Sequence, residues 1–274
     1  MSFGCQSGET LVTSQREAIY YEVRDRIGFI VLNKPQKRNA LNFKIWSLLP
    51  QLCRQGEDDP NVGVIIIRGR GLEVFSAGGD ISEFPSLRSD SESSSRYHVA
   101  VDTAVRTVWG LRKPTIAQVC GFCVGGGAEL AIACDLRFAA SNVKIGITPA
   151  NLGLVYPWLP TQMLVNLVGP SRAKDILFSG RLLGAPEAYE YGLIDRVFPL
   201  EDIDVETEAY ALLLLEKAPN SILGSKLMVN AISQGDYNRE KELDVMSCDS
   251  ATSAQHKEGI IAFLEKRKPL FPPV

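Results

Sequence analysis

Two glycine-rich segments determine which fold this chain adopts: Phe75-Ser-Ala-Gly-Gly-Asp-Ile81 and, farther along, Gly121-Phe-Cys-Val-Gly-Gly-Gly-Ala-Glu-Leu130. Each segment follows a run of apolar, mostly β-branched residues, 64–67 before the first and 115–119 before the second, which is typical of a buried strand. Because glycine has no side chain, both turns allow the backbone to approach a ligand closely. The sequence therefore predicts a ligand site built from two strand-to-turn junctions.

The second turn is expected to open a helix from Gly126 to about Ala133, with free N–H groups at its start. One N–H group from each turn can hold a carbonyl oxygen while negative charge grows on it. Glu129 lies three residues after Gly126, on the same face of the helix, where its carboxylate can move a proton beside the polarised carbonyl. A solvated or salt-bridged helix carboxylate is the alternative interpretation of Glu129.

Length, composition and charge exclude several classes of protein. The chain has 274 residues, of which 45% are hydrophobic, enough for one large domain or a domain with an appended helical region. A net charge of -3 argues against broad nucleic-acid binding, and no apolar run approaches the roughly 20 residues that span a bilayer. The N-terminus lacks a signal-peptide pattern, and six cysteines in a chain of this length do not resemble a disulfide framework. We therefore expect a cytoplasmic protein without nucleic-acid or membrane partners.

The order of elements predicts an α/β fold. Local patterns predict a hairpin around Asp25-Arg26, a helix capped by Asn42 and ending near Arg54, and a mobile surface loop over 86–96. Strands and helices alternate up to residue 199, whereas only helices follow. We interpret 1–199 as the core that carries the site and 200–274 as a helical region. The predicted C-terminal helices cover 201–217, 221–233, 239–252 and 255–266.

From about residue 18 to residue 270 the chain resembles the enoyl-CoA hydratase/isomerase family, also called the crotonase family. The resemblance rests on the two glycine-rich turns and on a series of shorter motifs. These motifs are Asn33-Lys-Pro, Arg38-Asn-Ala-Leu-Asn42, Ala133-Cys-Asp-Leu-Arg-Phe-Ala139, Gly184-Ala185 with Ala188, Gly192-Leu-Ile-Asp195 and Ala262-Phe-Leu-Glu-Lys-Arg-Lys-Pro269.

The resemblance implies a ClpP-like spiral of ββα units with a C-terminal helical region that forms a homotrimer or a dimer of trimers. It also implies an acyl-CoA thioester substrate, with no cofactor beyond the coenzyme A of that substrate. The N–H groups of Ala77 and Gly126 would form the oxyanion hole, and Lys37 and Arg38 would lie near the phosphates or adenine of coenzyme A. Further substrate-binding candidates in the matching segments are Ala40, Gly79, Asp80, Ile81, Gly125, Pro149 and Trp158, with Phe263 and Lys266 reaching the site of a neighbouring subunit.

One position departs from the family pattern. Many hydratases of this family use two glutamates to hold one water, and Pro149 stands where the second glutamate is expected. Residues 148–156 resemble the same stretch of methylmalonyl-CoA decarboxylase, which has a functional tyrosine at the place of Tyr156 but a histidine at the place of Gly79. Three functions therefore stay open: a hydratase/isomerase-like lyase with Glu129 as acid and base, an acyl-CoA decarboxylase, and a catalytically weak acyl-CoA-binding protein.

The remaining motifs favour structural interpretations. Cys120 and Cys123 form a CxxC pair, but no second pair completes a metal site, so we expect buried, inert thiols and no metal. His98 and His256 are flanked by polar residues, which predicts surface positions. Asp80 is expected to cap local N–H groups. The glycine spacing matches neither a P-loop nor a dinucleotide-binding pattern.

Overall fold

A computed structural model of the chain describes residues 17–87 and 89–272. Within these residues, six strands form a sheet of order β1-β2-β3-β5-β7-β10, in which only the β1–β2 pair is antiparallel. Continuous apolar runs such as that of β3 suit this sheet because both of its faces are covered. Its strands are β1 (Ile19–Arg24), β2 (Ile27–Leu32), β3 (Val64–Gly69), β5 (Thr115–Val119), β7 (Leu136–Ala140) and β10 (Arg196–Phe198).

A second, smaller sheet has the order β4-β6-β8-β9 in the described part of the chain. Its strands are β4 (Val74–Ser76), β6 (Phe122–Val124), β8 (Lys144–Gly146) and β9 (Leu183–Gly184). Along the chain, β3, β5 and β7 of the larger sheet are each followed by a strand of the smaller one. This alternation, with helices between successive strand pairs, confirms the expected α/β fold of repeated ββα units.

Helices pack around both sheets and occupy the C-terminal part of the chain. The hairpin around Asp25-Arg26 and the cap at Asn42 are confirmed, since the Asn42 side chain accepts a hydrogen bond from the Ile45 N–H. The helices are α1 (Phe43–Asp58), α2 (Phe84–Leu87), α3 (Ser91–Gly110), α4 (Gly126–Ile132), α5 (Trp158–Val168), α6 (Pro170–Ser179), α7 (Ala185–Glu190), α8 (Ile203–Leu215), α9 (Pro219–Gln234), α10 (Glu240–Ser250) and α11 (Ala254–Leu264), with short 3-10 helices at Pro35–Lys37, Ile81–Glu83, Pro149–Leu152 and Tyr237–Arg239.

The prediction of a loop over 86–96 is wrong for its second half, because α3 begins at Ser91. Asp90 caps this helix by accepting the Ser93 N–H at 2.8 Å, and the Ser93 hydroxyl faces the Asp90 N–H in return. Asp90 and Ser93 thus form a capping box at the start of this helix. The first turns of α3 lie in the wall of the cavity described below.

The helical character of the chain after residue 200 is confirmed. The first of these helices, α8, packs on the larger sheet through the buried residues Ile203 and Ala211. The division of the chain into 1–199 and 200–274 stays a prediction. None of the helices in the described ranges combines the length and the apolar character needed to cross a bilayer.

Candidate active site

A cavity of about 560 Å³ lies where the two glycine-rich turns meet. Its walls come from the two turns, from α1 and α3, and from the segment 148–157. Most of its lining is apolar, with a small set of polar groups between the apolar ones, as in many small-molecule sites. The lining residues include Trp46, Ala77, Gly79, Ile81, Phe84, Ser91, Ser94, Ser95, Tyr97, His98, Val101, Gly125, Gly126, Glu129, Thr148, Pro149, Leu152, Leu154, Val155 and Tyr156.

The two turns meet because the strands that precede them, β4 and β6, are parallel neighbours. The backbone after β4 then passes so close to β6 that Gly78 has no room for a side chain. A Cβ atom there would lie 2.6 Å from the carbonyl oxygen of Val124, and the φ angle of Gly78 is +90°. Glycine is therefore required at this position by both contact and conformation.

Two backbone N–H groups face this junction without a backbone acceptor in the described residues. Gly126 is the first residue of α4, so its N–H has no acceptor inside the helix. The Gly79 nitrogen lies 3.6 Å from the place where a Cβ atom of Gly126 would stand. Since a Cβ atom is about 2.5 Å from its own nitrogen, the two amide nitrogens are at most about 6 Å apart. One oxygen atom can accept hydrogen bonds from both groups at that separation.

Ala77 differs from the sequence prediction. Its N–H already donates to the carbonyl oxygen of Arg38 at 2.9 Å, so this hydrogen is not available to a substrate. The neighbouring bonds are Leu41 N–H to Gly78 carbonyl oxygen and Asp80 N–H to Leu41 carbonyl oxygen, which leave the Gly79 N–H unused. The geometry therefore favours Gly79, rather than Ala77, as the donor from the first turn, although Ala77 lines the cavity.

Glu129 projects into the cavity from α4 and is buried, with only 6% of its surface exposed. No cation of the described chain lies within ion-pair distance of its carboxylate, which excludes the salt-bridged surface alternative. Burial, together with the charge of Asp102, raises the pKa of Glu129 to about 8. A carboxyl group with such a pKa exists in both protonation states near neutral pH and can both give and take a proton.

Two further polar groups in the cavity wall have no hydrogen-bond partner among the described residues: the indole N–H of Trp46 and the hydroxyl of Tyr156. Trp46 packs beside the second turn, with its Cζ2 atom 3.0 Å from the Cβ position of Gly126. Burial and the Glu129 carboxylate raise the pKa of Tyr156, so its hydroxyl keeps its proton. Unpaired buried donors are uncommon in folded proteins and call for a specific explanation.

The position of the missing second glutamate lies in the cavity wall. Pro149 begins a 3-10 helix of four residues, and both Pro149 and its neighbour Thr148 line the cavity. Glu129 is the only carboxylate among the lining residues that the structure describes. Ile81 and Gly125, also predicted, are part of the same lining, and Ile81 is 57% exposed at its edge.

Asp80 is buried but serves a different purpose from the predicted one. Its side chain makes no capping bond and instead accepts hydrogen bonds from Lys34 at 3.1 Å, from Lys37 at 3.3 Å and from the Ser82 hydroxyl. These hydrogen bonds, that of Ser82 first, hold the pKa of Asp80 well below its usual range. Asp80 and Lys37 thus tie the basic loop to the first turn, and neither belongs to the described cavity lining.

The remaining predicted residues lie away from the cavity in the described chain. Trp158 starts α5 and is 83% exposed, although the preceding Tyr156 and Pro157 line the cavity. Phe263, at 82% exposure, belongs to α11, and Lys266 follows that helix. Arg38 and Ala40 do not belong to the described cavity lining, but the carbonyl oxygen of Arg38 accepts the N–H of Ala77 in the first turn.

Sequence reasoning missed Trp46 and the wall formed by α3. Trp46 sits among the apolar positions of an amphipathic helix, so its pattern is that of a core residue. Ser91, Ser94, Ser95 and His98 follow an i, i+3, i+4, i+7 spacing and form one face of α3 along the cavity. This spacing is the sequence signal that could have identified the α3 face as part of the site. His98 is exposed, as predicted, but it also belongs to the cavity wall.

The predicted burial of Cys120 and Cys123 is confirmed. Cys120 and Cys123 are 3% and 0% exposed, and burial raises the pKa of Cys120 to about 12, which keeps the thiol protonated and unreactive. Within the described ranges, no group of histidine, cysteine, aspartate and glutamate side chains is arranged to hold a metal ion.

Known proteins resemble this chain over nearly its whole length. A family model described as enoyl-CoA hydratase/isomerase matches residues 22–272. The crotonyl-CoA hydratase of Syntrophomonas wolfei is 37% identical over 258 residues, which are 93% of this chain and 98% of that protein. The short-chain-enoyl-CoA hydratase of Clostridium acetobutylicum is 30% identical over 251 residues, covering 91% and 95% of the two chains.

Solved structures agree with the sequence relatives. An enoyl-CoA hydratase/isomerase family protein from Hyphomonas neptunium superposes with a TM-score of 0.92 at 35% identity, covering 96% of this chain and 100% of the other. An enoyl-CoA hydratase from Bacillus anthracis superposes with a TM-score of 0.85 at 28% identity, covering 93% and 99%. The similarity therefore extends over both the strand-rich part and the C-terminal helices.

Proposed function

The chain belongs to the enoyl-CoA hydratase/isomerase family of acyl-CoA enzymes, and we propose that it stabilises a thioester enolate between the N–H groups of Gly79 and Gly126 while Glu129 transfers the proton. The observation that carries this proposal is the meeting, in one cavity, of two unused N–H groups and a buried carboxylate with a raised pKa. Perturbed carboxylates in a cavity are frequent at active sites.

The oxyanion hole supplies most of the stabilisation. When the carbon next to the thioester gains or loses a proton, negative charge moves onto the carbonyl oxygen, and two fixed donors stabilise that charge more than they stabilise the neutral carbonyl. Removing one such donor typically costs roughly 100- to 1,000-fold in rate. Gly126→Pro removes one N–H at the first position of a helix, where no helical hydrogen bond is lost, and it brings a Cβ atom to 3.0 Å from the Cζ2 atom of Trp46.

Glu129 moves the proton. As a carboxylate it takes a proton from water or from the carbon next to the thioester, and as an acid it returns a proton to that carbon. The raised pKa places both forms within reach at neutral pH, which is the condition for efficient general acid–base catalysis. Hydration and isomerisation both need this step.

Residues outside the cavity also contribute to the proposed function. Lys37 and Arg38 are our candidates for binding the phosphates of coenzyme A, because their loop is hydrogen-bonded to the first turn.

Large exposed apolar side chains on the C-terminal helices, such as Ile232 at 67% and Phe263 at 82%, support a subunit interface there. We therefore propose a trimer or a dimer of trimers; a monomer in sedimentation analysis would contradict this assembly.

Decarboxylation is the alternative reaction, and the unpartnered Tyr156 hydroxyl is the observation in its favour. A substrate carboxylate would also need to be accommodated. Among the described lining residues, His98 is the only side chain able to carry a positive charge, and a buried carboxylate without a cation is costly. We therefore rank hydration or isomerisation first.

Mass-spectrometric product analysis against crotonyl-CoA, longer enoyl-CoA thioesters and methylmalonyl-CoA tests the proposed function. We expect hydrated or isomerised products from the enoyl thioesters, and Gly126→Pro should lose this activity while keeping its circular dichroism melt. Release of CO2 from methylmalonyl-CoA without hydration would establish the decarboxylase instead. Stoichiometric binding without any turnover would identify an acyl-CoA-binding protein.

A further inference from the structure

Hydration of a double bond requires a water molecule that is held beside the substrate as well as a group that takes its proton. Glu129 is the single carboxylate in the described cavity lining, and Pro149 has neither a titratable group nor an N–H. One carboxylate can exchange protons with the water but leaves the orientation of that water underdetermined. Other polar atoms of the cavity must therefore fix its position.

The Trp46 indole N–H and the Tyr156 hydroxyl have the properties that this task requires. Both belong to the cavity wall and both lack a partner in the described chain. Trp46 is 1% exposed and its indole N–H has almost no contact with bulk solvent, so this donor stays unpaired unless an oxygen atom lies beside it. An indole N–H can only donate, whereas a phenol can donate and accept. Together with one carboxylate they match the hydrogen-bonding capacity of one water.

Their placement brings both groups to the reacting end of the cavity. The six-membered ring of Trp46 touches the Cβ position of Gly126, whose N–H is one of the two oxyanion donors. Tyr156 is close enough to Glu129 for the carboxylate to raise the pKa of the phenol. Both unpartnered groups thus belong to the same cavity lining as Gly126 and Glu129.

We infer that Trp46 and Tyr156 position the water that adds to the substrate, in place of the second glutamate that is absent at position 149. This inference rests on the proposed function. In the step, the water oxygen bonds to the β-carbon of the enoyl thioester and one O–H bond breaks. That proton passes to the Glu129 carboxylate, and the π electrons move into the enolate. Glu129 then protonates the α-carbon and is a carboxylate again.

A reaction that needs no added water separates this role from the rest of the machinery. Exchange of the α-protons of butyryl-CoA with deuterium oxide requires the oxyanion donors and Glu129, but no water bound at the β-carbon. Hydration of crotonyl-CoA requires the oxyanion donors, Glu129 and the bound water. The experiment therefore measures, by NMR and by absorbance, both rates for the natural chain, for Trp46→Phe and for Tyr156→Phe.

We expect each variant to lose roughly tenfold in the kcat of hydration, the size of one neutral hydrogen bond in the transition state, while exchange and the KM for crotonyl-CoA stay within about twofold. Trp109→Phe is the matched control, because Trp109 is a partly buried indole that does not belong to the described lining of this cavity; it should change neither rate. Tyr156→Phe removes a single oxygen atom and covers the case in which Trp46→Phe folds poorly.

Hydration at the natural rate in Tyr156→Phe and in a folded Trp46→Phe would overturn the inference. A proportional loss of exchange and hydration in Tyr156→Phe would also overturn it, because the group would then act on the enolate or on the fold. Failure of the proposed function gives a different result, since the natural chain would then show neither exchange nor hydration.

Discussion

Each glycine-rich turn carries one buried carboxylate, and the two have opposite electrostatic surroundings. Asp80 in the first turn is 7% exposed and Glu129 in the second is 6% exposed, so the exposed fraction of the side chain does not distinguish them. Hydrogen bonds from Ser82, Lys34 and Lys37 hold the pKa of Asp80 low, whereas desolvation without a cation raises the pKa of Glu129. Desolvation without a cation thus distinguishes the reactive carboxylate, and hydrogen bonds with ion pairs distinguish the structural one.

Replacing each carboxylate by its amide gives the largest expected contrast. Glu129→Gln should keep its affinity for acyl-CoA and lose roughly 100-fold or more of its turnover, because an amide cannot exchange a proton in the reaction. Asp80→Asn should stay within a few-fold of the natural rate, because Asp80 lies outside the described cavity lining. Steady-state kinetics of both variants on one enoyl-CoA measures the contrast. A Glu129→Gln variant with a near-natural rate would remove the catalytic assignment.

Stability should respond to pH in opposite senses at the two positions. The pKa of Glu129 is about 8 in the folded chain against an ordinary 4.5, so between these values the folded state binds one more proton than the unfolded state. Burial of Glu129 therefore costs nothing below about pH 4.5 and progressively more up to about pH 8, with a limit of roughly 3 to 5 kcal/mol. Urea unfolding should show Glu129→Gln gaining stability over the natural chain from pH 5 to pH 9. A pH-independent difference would show that the carboxylate is not desolvated.

For Asp80 the dependence of folding stability on pH has the opposite sign. Its lowered pKa means that the ion pairs stabilise the folded state fully above the ordinary pKa of an aspartate, and that this stability is lost progressively as the pH falls from the ordinary pKa toward the depressed one. Asp80→Asn should therefore destabilise the fold by roughly 1 to 3 kcal/mol at pH 7, since it leaves the nearly buried Lys34 without its carboxylate. Unfolding at pH 7 and at pH 3 checks this, and the loss should shrink only in the acid sample.

The smallest expected effect is that of removing the charge of Asp102, which tests the cause of the raised pKa of Glu129. Asp102 on α3 adds to the raised pKa of Glu129, although Asp102 is itself paired with Arg106 at 2.6 Å. Asp102→Asn should lower the pKa of Glu129 and move the rising limb of the pH–rate profile downward by a few tenths of a pH unit. Glu92→Gln, on the exposed start of the same helix, is the control and should leave the profile in place. An upward shift would contradict the electrostatic explanation.

Local sequence signals determined much of the framework. The hairpin at Asp25-Arg26, the cap at Asn42, the two turns and the position of Glu129 on α4 each depend on residues within a few positions of one another, and the structure contains all of them. The same local logic failed for 86–96, where serines typical of a loop form the capped start of α3. A capping box and a polar loop use the same residue types, so composition could not separate them.

The tertiary structure alone decided which groups are free to act. The Ala77 N–H is used because Arg38, far away in sequence, presents a carbonyl oxygen to it, and the Gly79 N–H is left unused by the same pairing. Asp80 is neutralised by two lysines of another loop, whereas Glu129 meets no cation in the described chain. The sequence determines residue types and local geometry. Whether a group is hydrogen-bonded or a charge is desolvated depends on which residues, distant in sequence, pack against it, and only the tertiary structure determines that packing.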